Sequence, residues 1–284
     1  MAATTVMARA ASLLQLILLT SSLRAHADEG LGLCPGHLFP VPQACSATGQ
    51  SFSLWHAKPA WRIAANLSDA DDNFAASWLQ KNLSSFSVTL SVVDIGAVTK
   101  STLNVIVLGR GARGGHTEAY TLHATSHKVT LSGSDPAGTF YAAVTFAQLC
   151  MGSNAKKIPE LRLTDYPDLP LRGFEVESKY STHMSEFTWA REVADVMASY
   201  KMNWVLLDWP SPMYYKNYST WVDPSPTWVT QMRGVLAYFK QRHIDVALVS
   251  GSRWDPRTLE GKFVKDEPFT LGTHALTHTH THTH

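Results

Sequence analysis

The sequence predicts an α+β domain, a small sheet packed on two helices, followed by a partial α/β barrel of the TIM type. Three observations predict it. Residues 61–149 mix short apolar or alternating runs with two helix-spaced segments. Residues 171–249 then repeat strand, helix, strand, helix, strand with short links, the pattern of a parallel α/β unit. A complete barrel of this kind takes about 250 residues, more than follow Asp165, so only its first part is expected here.

Composition sets the frame. The 284 residues are 45% hydrophobic, enough for a real core in one large or two ordinary domains. A formal net charge of +1 gives no reason to expect nucleic acid or an acidic membrane surface as a partner. The N-terminus reads as a signal peptide, residues 1–27. Arg9 precedes an apolar run at 13–19, and Ala25, His26 and Ala27 give a small-x-small cleavage pattern. That run is too short to span a bilayer, which needs about 20 apolar residues. A secreted or lysosomal location is therefore expected. Three sequons, at Asn66, Asn82 and Asn217, fit the same route as glycosylation sites. Cys34 and Cys45 flank a Pro-rich loop at a spacing that allows a disulfide, while Cys150 reads as a buried thiol. The three do not make a zinc site.

Residues 28–60 read as an extended arm, because Pro35, Pro40, Pro42 and Pro59 discourage regular structure. The α+β domain is set at 61–164. It opens with a strand at 61–65. A helix at 69–83 follows, with Phe74, Trp78, Leu79 and Leu83 at helical spacing and Asp69, Asp71 and Asp72 in its first turn. Strands are expected at 88–94 and 104–108, and a hairpin from 118–124 and 128–133 around a polar turn. Asp135 caps a second helix, with Pro136 at its first position, running to Cys150. A Pro- and Asp-rich link at 158–170 leads to the barrel part, 165–250. There the strands are 171–177, 204–208 and 244–249, and the helices 186–200 and 226–241. The last segment, 251–284, is irregular and ends in alternating Thr and His. Translation of a cytosine–adenine repeat would give that alternation, so the tail is expected to be a translated repeat rather than a metal-binding tract.

Two stretches carry a resemblance. Glu118 to Leu149, with Gly138, Thr139, Phe140, Tyr141, Gln148 and Leu149 at its centre, resembles the non-catalytic N-terminal domain of family 20 β-N-acetylhexosaminidases. Arg172-Gly173 and Lys201-Met202-Asn203 resemble the opening of the barrel that follows it in that family. The resemblance implies a glycosidase that removes terminal N-acetylhexosamine from glycans, without cofactor or metal. The sugar's own acetamide would be the nucleophile, and an Asp-Glu pair at the end of the fourth barrel strand would assist it. That pair is not expected in this chain. Asp266-Glu267 follows a polar, Lys-bearing stretch and reads as solvated loop. This exact chain is expected to be inactive. Two rival readings are a non-catalytic carbohydrate-binding or residual protein, and a related family of N-acetylglucosaminidases that shares the same modules.

By resemblance, Arg172 is the candidate contact to sugar hydroxyls, since a guanidinium offers several donors in a fixed fork. Its competing role is a structural pair with Asp165 or Asp168 where the two parts meet. Glu177 stands where the family has Asp, and Asp208 ends the second strand, on the side where barrel sites form. Both are weaker substrate candidates. Asp208 and Pro210 depart from the family's His and Thr-Asp-Asp turn. Trp209, Tyr214 and Tyr215 are possible stacking residues, and His183 a loop histidine; all four also have ordinary packing explanations.

Overall fold

The computed structural model describes residues 35–112, 115–177, 186–208 and 226–249. The signal peptide, Cys34, His183, residues 209–225 with Asn217, and everything from Ser250 onward lie outside the described residues.

The first part is a seven-stranded mixed sheet covered by two helices. Its strands are β1 (Ala44–Phe52), β2 (Arg62–Ala65), β3 (Ser91–Asp94), β4 (Val105–Arg110), β5 (Tyr120–Ala124), β6 (Lys128–Gly133) and β7 (Ile158–Asp165). They lie in the order β1-β7-β5-β6-β4-β2-β3. The half around β2 is parallel and the half around β5 is antiparallel. The helices are α1 (Ala70–Ser84) and α2 (Pro136–Met151). Alternation decides which side faces them. In β5, Tyr120, Leu122 and Ala124 are buried while Thr121 and His123 are half-buried, and β6 repeats this with Val129 and Leu131 inside. Ile63, Leu79, Leu83, Ile106, Leu108 and Phe140 fill the space between sheet and helices.

The Asp135 cap forms as the sequence predicts, and Asp69, expected in the first turn of its helix, is instead the N-cap of α1. Asp69 accepts from the backbone N–H groups of Asp71 and Asp72, and Asp135 from that of Gly138. Two segments differ. The arm is not irregular: β1 pairs antiparallel with β7, and Leu38, Phe52 and Leu54 are buried in the first core. The sequence pattern does not mark this strand, because its side chains before Phe52 are mostly small or polar, its prolines flank it rather than interrupt it, and it sits at a sheet edge. The link is not a link over its first half. Residues 158–165 form β7, an interior strand between β1 and β5. Pro159 and Glu160 hide the alternation that buries Ile158, Leu161 and Leu163.

The second part has β8 (Gly173–Glu177), α3 (Glu186–Ser199), β9 (Trp204–Asp208), α4 (Pro226–Lys240) and β10 (Asp245–Val249). The strands are parallel, in the order β10-β9-β8. Phe187, Ala190, Ala194, Met197, Val205, Leu207, Val235 and Phe239 form its core. Among the described residues this parallel sheet is open rather than closed into a barrel.

The two parts are packed together. Ala198 of α3 belongs to the core of the first part. The Gln148 amide donates to the carbonyls of both Phe39 and Ser199, at 2.7 and 3.0 Å. Phe39 and Tyr200 meet edge to face, and His243 lies against Phe140.

Candidate functional site

A buried polar cluster lies in this seam. Asp165, at the end of β7, is 6% exposed, and Lys201, just past α3, is 5% exposed. The Lys201 ammonium donates to Asp165 Oδ2 at 3.0 Å and to the Tyr120 hydroxyl at 2.6 Å. Tyr120 donates in turn to Asp165 Oδ2 at 2.7 Å and lies 2.6 Å from the Thr145 hydroxyl. The other carboxylate oxygen accepts from the backbone N–H groups of Gln43 and Tyr166. Nearly every polar atom has a partner, as a buried ion pair requires. Burial pulls the Lys201 pKa down, against the opposing charge of Asp165. Burial, then the charge of Asp165, drives the Tyr120 phenol well up, so it stays protonated.

A second cluster adjoins it. Arg172 stands just before β8. Its Nε donates to the Lys201 carbonyl at 2.9 Å and Nη1 to the Leu169 carbonyl at 2.8 Å. Its Nη2 pairs with Glu118 Oε2 and approaches the Tyr141 hydroxyl at 3.4 Å. Asn203 completes the arrangement. Its Oδ1 accepts from the Arg172 backbone N–H at 2.9 Å, and its amide donates to Glu118 Oε1 at 3.0 Å and the Pro170 carbonyl at 2.9 Å. Gly173 lets the strands approach here: a Cβ on it would lie 1.6 Å from the Trp204 carbonyl oxygen. The arrangement neutralises charge and fixes the first parallel strand against the first part.

The sequence candidates do not converge. Arg172 sits at the N-terminal end of β8. Glu177 and Asp208 end β8 and β9 and are direct register partners on neighbouring strands. Five residues at about 3.3 Å each separate Arg172 from Glu177, roughly 16 Å. Arg172 is paired at the junction, with Glu118 rather than Asp165 or Asp168. Cys45 is disulfide-bonded, and Cys150 is the free cysteine among the described residues. Burial pushes the Cys150 thiol far up, which makes it a poor nucleophile. No group of three or more metal-ligating side chains occurs among the described residues, and none of their helices is long and apolar enough to cross a membrane.

Sequence reasoning missed Glu118, Tyr120, Asp165 and Lys201 as site residues. Alternation along β5 could have found Tyr120, which points inward with Leu122. No local signal marks a buried lysine, because lysine is ordinarily exposed.

Comparison with known proteins gives this seam a context. Residues 36–166 match the sequence model "Glycosyl hydrolase family 20, domain 2". A beta-hexosaminidase of Vibrio vulnificus is 24% identical over 177 residues, which cover 62% of this chain and 19% of that protein. A glycoside hydrolase family 20 beta-N-acetylglucosaminidase of known structure is 26% identical, with a TM-score of 0.55 over 75% of this chain and 42% of its own. The Streptomyces plicatus beta-hexosaminidase, solved in complex with product (GlcNAc), is 16% identical with a TM-score of 0.59, over 78% of this chain and 47% of its own. The last is a likeness of fold alone. This chain spans about a fifth of the curated relative and less than half of the solved structures.

Proposed function

We propose that this chain, whose residues 36–166 match the model of glycosyl hydrolase family 20, domain 2, is the supporting module and opening strands of a β-N-acetylhexosaminidase-type glycosidase, one whose substrates are glycans ending in N-acetylhexosamine. The observation that carries the reading is the seam. Glu118, Tyr120 and Asp165 of the family domain grip Arg172, Lys201 and Asn203 at the start of a parallel α/β unit. A family 20 domain followed directly by parallel β/α units is the module order of such an enzyme. On this reading β8, β9 and β10 are the first three barrel strands. The paired ends of β8 and β9, with Glu177 and Asp208, then border the substrate side. Arg172 acts as a junction residue, since a sugar hydroxyl would have to displace Glu118 or a backbone carbonyl from it.

The reaction needs a carboxyl pair: one group to steady the substrate acetamide, one to protonate the leaving oxygen. No adjacent Asp-Glu pair occurs among the described residues, and Asp266-Glu267 lies outside them. We assign this chain no turnover of its own, and a secretory route through residues 1–27.

The purified 284-residue chain tests the reading with a chromogenic N-acetylglucosaminide and with calorimetric titration of N-acetylglucosamine. Neither hydrolysis nor saturable binding is expected. Hydrolysis would overturn the non-catalytic assignment, and binding without hydrolysis would favour a carbohydrate-binding protein. The transcript beyond the Ser250 codon tests the family function itself. An apolar strand ending in Asp-Glu supports it; uninterrupted polar sequence counts against it.

A further inference from the structure

We infer that Asn66 carries an N-linked glycan and that Asn82, the other sequon within the described residues, does not. The inference rests on the secretory route proposed above. The two sequons share a motif but differ in what their atoms do.

Asn66 lies in the turn between β2 and the Asp69 cap of α1. Its Oδ1 accepts from the Ser68 backbone N–H at 3.2 Å and from the Ser68 hydroxyl at 2.7 Å. The sequon hydroxyl is thus already aimed at the amide that would react. Donation to Oδ1 stabilises the imidate character that grows as Nδ2 loses a proton. Nδ2 itself has no hydrogen-bond partner among the described residues, and Ser68 is exposed.

Asn82 lies in the last turn of α1, and its groups are committed elsewhere. Its Nδ2 donates to the Trp78 carbonyl one turn back at 2.8 Å. The Ser84 hydroxyl donates to the Lys81 carbonyl at 2.6 Å, away from the Asn82 amide. Reaction there requires the helix end to unwind and two hydrogen bonds to break. Both arrangements span at most four residues, so a nascent chain can form them before the sheet assembles.

The donor is an oligosaccharide joined to a lipid through pyrophosphate, with N-acetylglucosamine as its first sugar. Asn66 Nδ2 forms a bond to C1 of that sugar. The C1–O bond to phosphate breaks, the lipid pyrophosphate leaves with the electron pair, and the amide proton passes to a base. Nothing is oxidised or reduced.

The test expresses the full chain in cultured eukaryotic cells, once with its own N-terminus and once behind a foreign secretory leader. Glycopeptide mass spectrometry then gives the occupancy of each sequon. High occupancy at Asn66 and several-fold lower occupancy at Asn82 are expected, with Ser68→Ala emptying Asn66. Equal occupancy, or a glycan on Asn82 with Asn66 bare, would overturn the inference. So would a leader-driven, secreted chain that carries no glycan at Asn66. Glycan at Asn66 only behind the foreign leader would sink the secretory route and leave the site assignment standing.

Discussion

Lys201 shows most sharply what a single residue does here. Its ammonium is buried beside Asp165 and Tyr120, and desolvation already works against its charge. The pair therefore persists through its geometry rather than through intrinsic gain. Lys201→Met should destabilise the chain by about 3–5 kcal/mol, because Asp165 is left as a buried charge with only neutral donors. Asp165→Asn in the same chain should recover much of that loss. Urea denaturation of the two single variants and the double variant, read as a cycle, measures the coupling. Losses that simply add would mean that the two groups do not act as a pair. The sequence put these positions into view for a different reason. Arg172-Gly173 and Lys201-Met202-Asn203 resemble a barrel opening, which makes Arg172 either a sugar contact or a structural arginine paired where the two parts meet. In the fold these residues meet Glu118, Tyr120 and Asp165. Those partners lie 36 to 85 residues away in the chain, a distance no local pattern spans.

At the scale of elements, β8 depends on one missing side chain. Gly173 packs so closely on Trp204 that any Cβ meets the carbonyl oxygen. Gly173→Ala must push β8 away from β9 and strain the Arg172–Asn203 bonds at its start. A loss of about 1–3 kcal/mol follows from overpacking of this kind. Hydrogen exchange should locate it in β8 and β9, with α2 and β6 still protected. Gly36→Ala is the matched control: nothing lies within 4 Å of its added Cβ, so thermal melting should shift little. A control that loses as much as Gly173→Ala would refute the steric account. Most elements were legible because their burial is periodic, as in β5, β6 and α1. β1 and β7 were not. β1 presents mostly small and polar side chains and is held as a strand by its pairing with β7, while in β7 Pro159 and Glu160 follow Ile158 and mask the alternation that buries Leu161 and Leu163.

At the scale of the molecule, the seam joins two cores, and one histidine in it makes the joint sensitive to pH. His243 follows α4 with φ of 58° and lies against Phe140 of the first part. Its Nε2 is buried and has no hydrogen-bond partner among the described residues. Burial lowers its pKa from the ordinary 6.5; Asp71, Asp135 and Glu118 oppose that shift, while Arg110 adds to it. The sign of the linkage follows. Below 6.5 the unfolded chain takes up a proton that the folded chain refuses, so stability falls as pH drops through that value toward the lower folded pKa. His123, on the open side of β5, is shifted the same way and adds to the slope. His243→Asn separates the two. Asparagine tolerates a positive φ and does not titrate, so the fold is kept while one source of proton linkage is removed. Melting temperatures across this range should fall less steeply in the variant than in the parent. Hydrogen exchange in the parent should report the loss first in β10 and the end of α4, next to the histidine. An identical slope in both proteins would mean that the seam is indifferent to this proton and that the acid sensitivity lies elsewhere.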